Sequence, residues 1–400
     1  MLTLEQNRLT IRFPEIHPDA VCHIEFQRTL RIPDDNRTHR LPPGLGKFPL
    51  AHVDDHSGKL PAAWQKRGGV FLPMHETEAM WIKFSGNYPF AAKIAAGKIN
   101  AVTGKAWTPE LKGPRKSNTL HDFLGRGVNL NAACGSGYPL GNPACGHKPF
   151  LDAPHHARLA PAEDEQDYVT LPRQSWLDGF CVAKGKIRQF VAMPLGDGYT
   201  AEEQITGEAI HGGLQIIVYP LKPEFYKRPA PSPLRSMGFA GAMENSVYGM
   251  CASASSANGP HRLTASASRA VSDMGMAPGG LMEQNIHEDG FGIDKFDQSV
   301  SARCFVHLLN SQQYEHVTGK RPLHTAPTAA DYTKQGLPWY QEWPTGTKAL
   351  PGAPALQQLD SVANLGNKMG KNPLPDNSPL PQAPKVLIVK NPHQVREGEF

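Results

Sequence analysis

The stretch that decides the fold covers residues 176–220 and reads WLDGFCVAKGKIRQFVAMPLGDGYTAEEQITGEAIHGGLQIIVYP. Two apolar-rich runs, 180–183 and 186–193, flank Gly185, which can supply the positive φ of a tight hairpin turn. Neither face of the second run is purely polar, so we expect this strand to be covered on both sides. The sequence therefore predicts an antiparallel hairpin of buried strands.

The rest of this stretch predicts the end of that strand, a capped helix and a second buried strand. Pro194 has no N–H and should end the ladder. Thr200 and Glu203 have the spacing of a capping box, in which a hydroxyl and a carboxylate bond each other's backbone amide. Gly207 is expected to end a short helix. Residues 214–219, LQIIVY, are β-branched and long enough only for a buried strand.

Composition favours strands over helices through the rest of the chain. The 400 residues include 38 glycines and 37 prolines, nearly a fifth of the chain. This content disfavours long helices and is typical of many short strands joined by turns. We therefore predict a mainly β fold of the α+β type with few short helices. Its antiparallel sheets would form one or two units resembling a sandwich or a barrel.

Charge and hydropathy limit the partners and the compartment. The net charge of +4 is mild and no basic stripe is present, so we expect no nucleic-acid partner. The N-terminus lacks the apolar core of a signal peptide, and no apolar run approaches the ~20 residues of a membrane helix. We therefore predict a cytoplasmic protein without a membrane partner. Dispersed cysteines in a reducing compartment are expected to be thiols, and three lie in strand-like runs as small core residues: Cys22, Cys181 and Cys304.

A second hairpin repeats part of the first. Residues 95–99 and 183–187 both have the pattern Ala-x-Gly-Lys-Ile between apolar arms. This repetition suggests an internal duplication of β units at roughly 20–105 and 165–222. The alternative is that unrelated hairpins share a favourable Gly-Lys turn, and the sequence leaves both open.

Patterning along the chain predicts five regions. Alternation over 21–32 puts Cys22, Ile24 and Phe26 on one strand face, with Arg28 breaking the pattern as at a sheet edge. Leu356, Leu359, Val362 and Leu365 recur near the helical period. The regions are an N-terminal β unit (1–105), an irregular insertion (106–165), a central β-rich unit (166–345) with a Gly/Ala/Ser-rich segment (227–282), an amphipathic helix (346–370) and a Pro-rich C-terminal arm (371–400).

Several blocks resemble a family of hypothetical microbial proteins of no known activity. The resemblance extends over most of residues 20–365. It is carried by short blocks, including RQFVAMPL and RCFVH, at 95–102, 188–195, 198–200, 202–204, 212–215, 303–307, 332–333 and 336–339. The resemblance supplies no activity, cofactor or catalytic residue for this chain.

The best candidate metal site is a group of soft and borderline ligands in the irregular insertion. Such ligands suit zinc: Cys134, Cys145, His147, His155 and His156. Their spacing is not that of paired Cys-x2-Cys knuckles, so a surface loop with incidental Cys and His is the simpler interpretation.

Carboxylates form two weaker candidates. One is an acidic cluster whose spacing does not fit an EF-hand, so a solvated face or turn is preferred: Glu283, His287, Glu288, Asp289, Asp294 and Asp297. The other is Asp197 with Glu202 and Glu203, which could act as paired acid and base. Capping is the preferred role there, with Glu203 in the box and Glu202 in the first helical turn.

No sequence motif identifies a nucleophile or a phosphate loop. Ser136 is not in a Gly-x-Ser-x-Gly elbow, and neither Gly-Lys pair is followed by the hydroxyl that binds Mg²⁺.

Two hypotheses about function follow. The first is a β-rich structural or binding protein that self-associates as a homo-oligomer through the C-terminal arm, where KVLIV at 385–389 could add a strand to a sheet. The alternative is a metal-assisted, hydrolase-like enzyme that uses the loop 134–156.

Overall fold

The computed structural model describes residues 1–35, 37–115, 165–228, 273–321, 325–330, 332, 338–342, 348–371 and 386–389. Its strands are β1 (Leu2–Glu5), β2 (Arg8–Arg12), β3 (Val21–Thr29), β4 (Thr38–His39), β5 (Gly44–Lys47), β6 (Ala51–His52), β7 (Val70–Met74), β8 (Ala79–Ser85), β9 (Phe90–Ala96), β10 (Ile99–Asn100), β11 (Val169–Leu171), β12 (Trp176–Leu177), β13 (Gly179–Ala183), β14 (Lys186–Pro194), β15 (Leu214–Pro220), β16 (Asp273–Glu283), β17 (Ala302–Asn310), β18 (Trp339–Glu342) and β19 (Val386–Val389).

The helices are short and lie between strands. The α-helices are α1 (Ala62–Arg67), α2 (Ala201–Thr206), α3 (Ser311–Thr318), α4 (Pro354–Gln357) and α5 (Val362–Lys368), and 3₁₀ turns occupy Asp54–Lys59, Pro223–Phe225 and Ile293–Lys295. None of the helices in the described ranges has both the length and the apolar character needed to cross a membrane.

Seventeen strands are hydrogen-bonded into one continuous sheet network, and the pairing is almost entirely antiparallel. The parallel pairs in this network are β4 with β16 and β7 with β17. Strand β8 pairs with β3, β12 and β14, and β9 pairs with β10, β11 and β15. The mainly β, antiparallel fold with few short helices is therefore confirmed. Strands of both proposed β units share this network.

The deciding stretch folds as its sequence predicts. Gly185 has a φ of 72° in the turn between β13 and β14, and β14 ends at Pro194. Thr200 and Glu203 form the complete capping box of α2, and Gly207 ends that helix in the left-handed conformation. Every residue of β15 is buried. Local chemistry fixes these elements, and burial of their apolar side chains against one another holds them together.

The alternating strand β3 supplies the centre of the core. Cys22, Ile24 and Phe26 are fully buried, as expected. The prediction that Arg28 marks a sheet edge is wrong, because β3 has partners on both sides in β2, β5 and β8. Arg28 is instead accommodated by an ion pair of 2.7 Å with the buried carboxylate of Glu78. A paired charge can occupy an interior strand position that an unpaired one could not.

Two regions of sheet were not recognised in the sequence. Strand β16, DMGMAPGGLME, is the longest of the described strands and lies partly in the region assigned to a small-residue segment. Its glycines permit close packing, because a Cβ at Gly280 would lie 2.4 Å from the Pro33 carbonyl oxygen and one at Gly279 would lie 2.6 Å from Val191. The N-terminal hairpin of β1 and β2 was also missed. Residues 229–272 of the small-residue segment lie outside the described residues.

The C-terminal region differs from the expected single amphipathic helix. Ser361 starts a new helix by accepting a hydrogen bond from the Asn364 amide, so residues 354–368 form α4 and α5 rather than one helix. Leu356, Leu359 and Val362 are nevertheless buried as predicted. The apolar run of the C-terminal arm forms β19, which pairs in parallel with β18 of the same chain.

Buried glutamines join loops to strands where no regular ladder exists. The Gln189 side chain donates to the Leu30 carbonyl and accepts from the Ile32 amide, in place of a strand partner. Gln215 donates to the Gly97 carbonyl at 2.7 Å. Amide side chains can satisfy both backbone donors and acceptors, so these contacts fix irregular segments inside the protein.

The three cysteines expected in the core are there as free thiols. Burial raises the pKa of Cys22, Cys181 and Cys304 to about 12. A buried thiol with such a pKa forms little thiolate and packs as a small apolar residue.

Candidate functional site

The candidate site is built around His211, in the loop between α2 and β15. The Nδ1 atom of His211 lies 2.7 Å from Oε1 of Glu202, which is buried in the first turn of α2. A carboxylate oxygen only accepts, so Nδ1 carries the proton of the neutral ring and Nε2 keeps its lone pair. Among the residues that the structure describes, none hydrogen-bonds Nε2. About a fifth of the His211 side chain is exposed.

The second oxygen of Glu202 fixes the backbone beneath the imidazole. Oε2 accepts from the His211 amide at 3.2 Å and from the Gly212 amide at 2.9 Å. Arg67, at the end of α1, donates to the carbonyls of Ile210 and His211. The loop is thus held by a carboxylate on one side and a guanidinium on the other, and the imidazole has little freedom to turn.

The hairpin turn at Gly97 forms one wall of this arrangement. Gly97 has a φ of 57°, and a Cβ there would lie 2.3 Å from Oε2 of Glu202. The Gly97 amide donates to the carbonyl of Gly213 at 2.9 Å. Glycine is therefore needed at this turn both for its conformation and for the space that Glu202 occupies.

Asp273 lies on the other side of the same loop, at the start of β16. Its Oδ2 accepts from the indole N–H of Trp64 at 2.9 Å. Its Oδ1 is buried and has no hydrogen-bond partner within the described part of the chain. A Cβ on Gly212 would lie 3.0 Å from this oxygen, so Asp273 contacts the residue next to His211. A buried polar atom without a partner is rare in a structural role.

Burial raises the pKa of Asp273 to about 6, and the charge of Glu202 also raises it. The indole of Trp64, the Met274 amide and the charge of Arg67 act in the opposite direction. A carboxyl group with such a pKa changes protonation close to neutral pH. Perturbed carboxyl groups of this kind concentrate at functional sites, although structural networks also produce them.

Trp64 is held in place by a second histidine. The rings of Trp64 and His307 stack with centroids 4.4 Å apart and planes 18° apart, and Trp64 is fully buried. His307 Nε2 lies 3.0 Å from the Gly68 carbonyl oxygen, to which it donates. Burial lowers the pKa of His307 to about 4, so this ring is neutral and supports Trp64 without adding charge.

The predicted metal ligands cannot be placed. Cys134, Cys145, His147, His155 and His156 all lie outside the described residues. Within the described residues, no group of three or more His, Cys, Asp or Glu side chains could hold a metal ion. The zinc site therefore stays a prediction from the sequence.

The carboxylates near α2 have separate roles. Glu203 caps the helix as predicted and also accepts from the amides of Gly196 and Gly198. Asp197 is exposed in the turn before the helix. Glu202 does more than favour the first turn, because it holds His211. The three residues therefore do not form a paired acid and base.

The acidic cluster is divided between surface and interior. Glu283 and Asp294 are exposed, whereas Asp289 is buried. Asp289 accepts hydrogen bonds from the Tyr168 and Thr170 hydroxyls and from the amides of Phe291 and Gly292. The expectation of a solvated turn is wrong for Asp289, whose carboxylate is a fully bonded structural centre.

Comparison with known proteins supplies no relative for this site. No family model matches the chain, and no curated protein or solved structure does either. The interpretation of the site therefore depends on its geometry.

Most residues of the site could not be found from the sequence. These residues come from four separate segments that no motif joins: Trp64 and Arg67 from α1, His211, Asp273 and His307. The one local signal is the pair Gly212-Gly213 directly after His211. Both glycines have positive φ, at 58° and 54°, a conformation that glycine adopts readily and other residues rarely do.

Proposed function

We propose that the protein is an enzyme of the hydrolase type in which His211 is the general base. The observation that carries this proposal is the buried Glu202 carboxylate bonded to Nδ1 of a partly exposed imidazole whose Nε2 has no partner among the described residues. A carboxylate in this position fixes the tautomer and orientation of the ring, and it stabilises the imidazolium that forms when Nε2 takes a proton.

In this proposal His211 takes a proton from water while the oxygen of that water attacks an acyl carbon of a small-molecule substrate. Glu202 stays ionised and neutralises the imidazolium. The proton then passes to the leaving oxygen, and the ring returns to its starting state. Every step uses water and the substrate alone.

The test is hydrolysis of p-nitrophenyl acetate over about pH 5 to 9, the range in which an imidazole base titrates. We expect His211→Gln to lose about tenfold or more of the protein-dependent rate, since a positioned base contributes at least that much. Glu202→Gln should lose most of the rate as well. His316→Gln, which changes an exposed histidine of α3, is the matched control and should leave the rate unchanged.

Equal rates for His211→Gln and wild type, with both folded by circular dichroism, would refute the proposal. A chelator arm separates the metal-assisted alternative. If zinc at the loop 134–156 is required, EDTA will abolish the rate, whereas a metal-free base mechanism will be unaffected.

Self-association through the C-terminal arm is the second candidate function. It is favoured by β19, whose strand pairing among the described residues is with β18 alone, since a strand paired along one edge can accept another strand along the other. Light scattering on the full chain and on residues 1–370 tests it. A homo-oligomer that becomes monomeric on truncation supports the proposal, and a monomer in both contradicts it. A cytoplasmic location and the lack of nucleic-acid partners are proposed on composition alone.

A further inference from the structure

The outer face of the N-terminal sheet carries positive charge that has no counterpart. In β1, β2 and β3 the inward residues are apolar and buried, including Leu9, Ile11 and Ile24. The register places the polar residues together on the opposite face, with Thr3 opposite Thr10, Glu5 opposite Arg8, and Thr10 opposite His23. Side chains directly opposite on neighbouring antiparallel strands are within contact distance.

Arg8 is the unusual member of this face. It is half-buried, its Nε is fully buried, and its guanidinium makes no hydrogen bond or ion pair with any described residue. Glu5 lies directly across the ladder but is exposed and forms no ion pair with Arg8. Leaving a guanidinium N–H buried without an acceptor costs free energy, so an acceptor oxygen brought by a ligand would stabilise Arg8 in this position.

The buried carboxylate of β3 on this face does not pair with Arg8, because it is already engaged by two lysines. Glu25 is ion-paired with Lys47 and, at 3.3 Å, with Lys83. Arg12, on the same face as Arg8, is exposed. The face therefore carries more basic than acidic groups, and two of its cations lack a protein counter-ion among the described residues.

Two further polar groups are placed to complete a site. The Thr3 hydroxyl is buried without a partner in the described ranges. The Nδ1 of His23 lies 3.0 Å from the Thr10 hydroxyl, which leaves its Nε2 without a described partner. Burial lowers the pKa of His23, and the charges of Arg8 and Arg12 lower it further, while Glu25 and Glu5 raise it. The pKa of His23 therefore responds to charge placed near the ring.

We propose that Arg8, Thr3 and His23 bind an oxyanion of the phosphate type on the outer face of the β1–β2–β3 sheet. In the register Thr10 lies between Thr3 and His23, and Arg8 is two residues from Thr10 on β2, so a guanidinium, a hydroxyl and an imidazole share one face of the sheet. Such a set suits the several acceptor oxygens of a tetrahedral anion. This site is separate from His211 and does not depend on the proposed hydrolase.

The test is a proton NMR titration of His23 in the full chain, with the His23→Gln variant used to assign its signal. Sulfate and inorganic phosphate are the probes, acetate tests a carboxylate, and chloride at matched ionic strength controls for screening. We expect sulfate and phosphate to raise the pKa of His23, because the bound anion stabilises the imidazolium. Acetate should have a smaller effect and chloride little.

Variants identify the residues that bind. Arg8→Gln should weaken sulfate binding about tenfold or more, since it removes charge-assisted hydrogen bonds. Thr3→Val should weaken it several-fold, and the exposed Arg321→Gln should match wild type. The proposal is overturned if sulfate shifts His23 no more than chloride, or if Arg8→Gln and wild type respond equally.

Discussion

Asp289 and Asp273 are both aspartates in buried surroundings, but their carboxylates differ in how many hydrogen bonds they accept. Asp289 has both oxygens hydrogen-bonded, by two hydroxyls and two backbone amides. Asp273 has one oxygen bonded to Trp64, and the other is without a partner among the described residues. A fully bonded carboxylate stabilises a fold, whereas a half-bonded one costs stability and suits chemistry. The contrast separates scaffold from candidate site.

The strongest test of the scaffold side is Asp289→Asn. The substitution removes the charge and replaces an acceptor with a donor that faces the Tyr168 hydroxyl or the Gly292 amide. We expect the free energy of unfolding to fall by about 3 kcal/mol, since hydrogen bonds to a buried charge are worth 1.5–3 kcal/mol each. Urea denaturation at neutral pH measures it. An exposed control, Asp55→Asn, should change little, and a loss no larger than that control would break the comparison.

The two hairpins that share Ala-x-Gly-Lys-Ile also differ in this way, because the turn at Gly97 contacts the candidate site and the turn at Gly185 belongs to the scaffold. Gly97→Ala would place a methyl group 2.3 Å from Glu202, whereas at Gly185 the nearest atom is 3.3 Å away on Asn285. Both glycines have positive φ. We expect Gly97→Ala to cost about 3 kcal/mol and Gly185→Ala about 1 kcal/mol, the price of the backbone conformation alone. Thermal unfolding of both variants checks this. Equal losses of unfolding free energy would show that Glu202 does not restrict the side chain at position 97.

Asp273→Asn tests the candidate site, and we expect it to stabilise the protein rather than destabilise it. Because the folded pKa of about 6 is above the ordinary 3.8, the fold favours the protonated carboxyl. Stability from this group is therefore complete at low pH and is lost as pH rises through about 6. We expect Asp273→Asn to raise the free energy of unfolding by about 2 kcal/mol at pH 8 and to have little effect at pH 4. A destabilised variant at pH 8 would contradict the assignment.

His287 gives a smaller effect with the reverse pH dependence. Burial, and then the charge of Arg173, lowers its pKa from 6.5 to about 4. The unfolded chain therefore binds the proton more readily, and stability is lost as pH falls from 6.5 toward 4. We expect His287→Asn to reduce this acid loss by about 1 kcal/mol, relative to wild type. An unchanged slope between pH 4 and 6.5 in urea titrations would show that His287 is not buried as a neutral ring.

The sequence predicted the parts of the fold that depend on local chemistry. The hairpin turn at Gly185, the capping box of Thr200 and Glu203, and the buried strand β15 are each specified by neighbours in the chain. Strand β16 was missed because its glycines, proline and methionines have weak strand preference, and only its close contacts with other segments explain them.

The candidate site was beyond sequence reasoning for a related reason. Glu202 was assigned to the first turn of a helix, because nothing local indicates that its carboxylate reaches His211 nine residues later. Asp273 and Trp64 are more than two hundred residues apart and meet only through the sheet. Catalytic groups often come together only in three dimensions. Here the strands of the sheet bring these residues into contact.

The tautomer of His211 is the most direct test of the account. Long-range proton–nitrogen NMR of the neutral ring reports which nitrogen carries the proton, and His211→Gln assigns the signal. We predict that Nδ1 is protonated and Nε2 is free, and that Glu202→Gln loses this preference. A ring protonated at Nε2 in the wild-type protein would contradict the claim that Glu202 prepares His211 as a base.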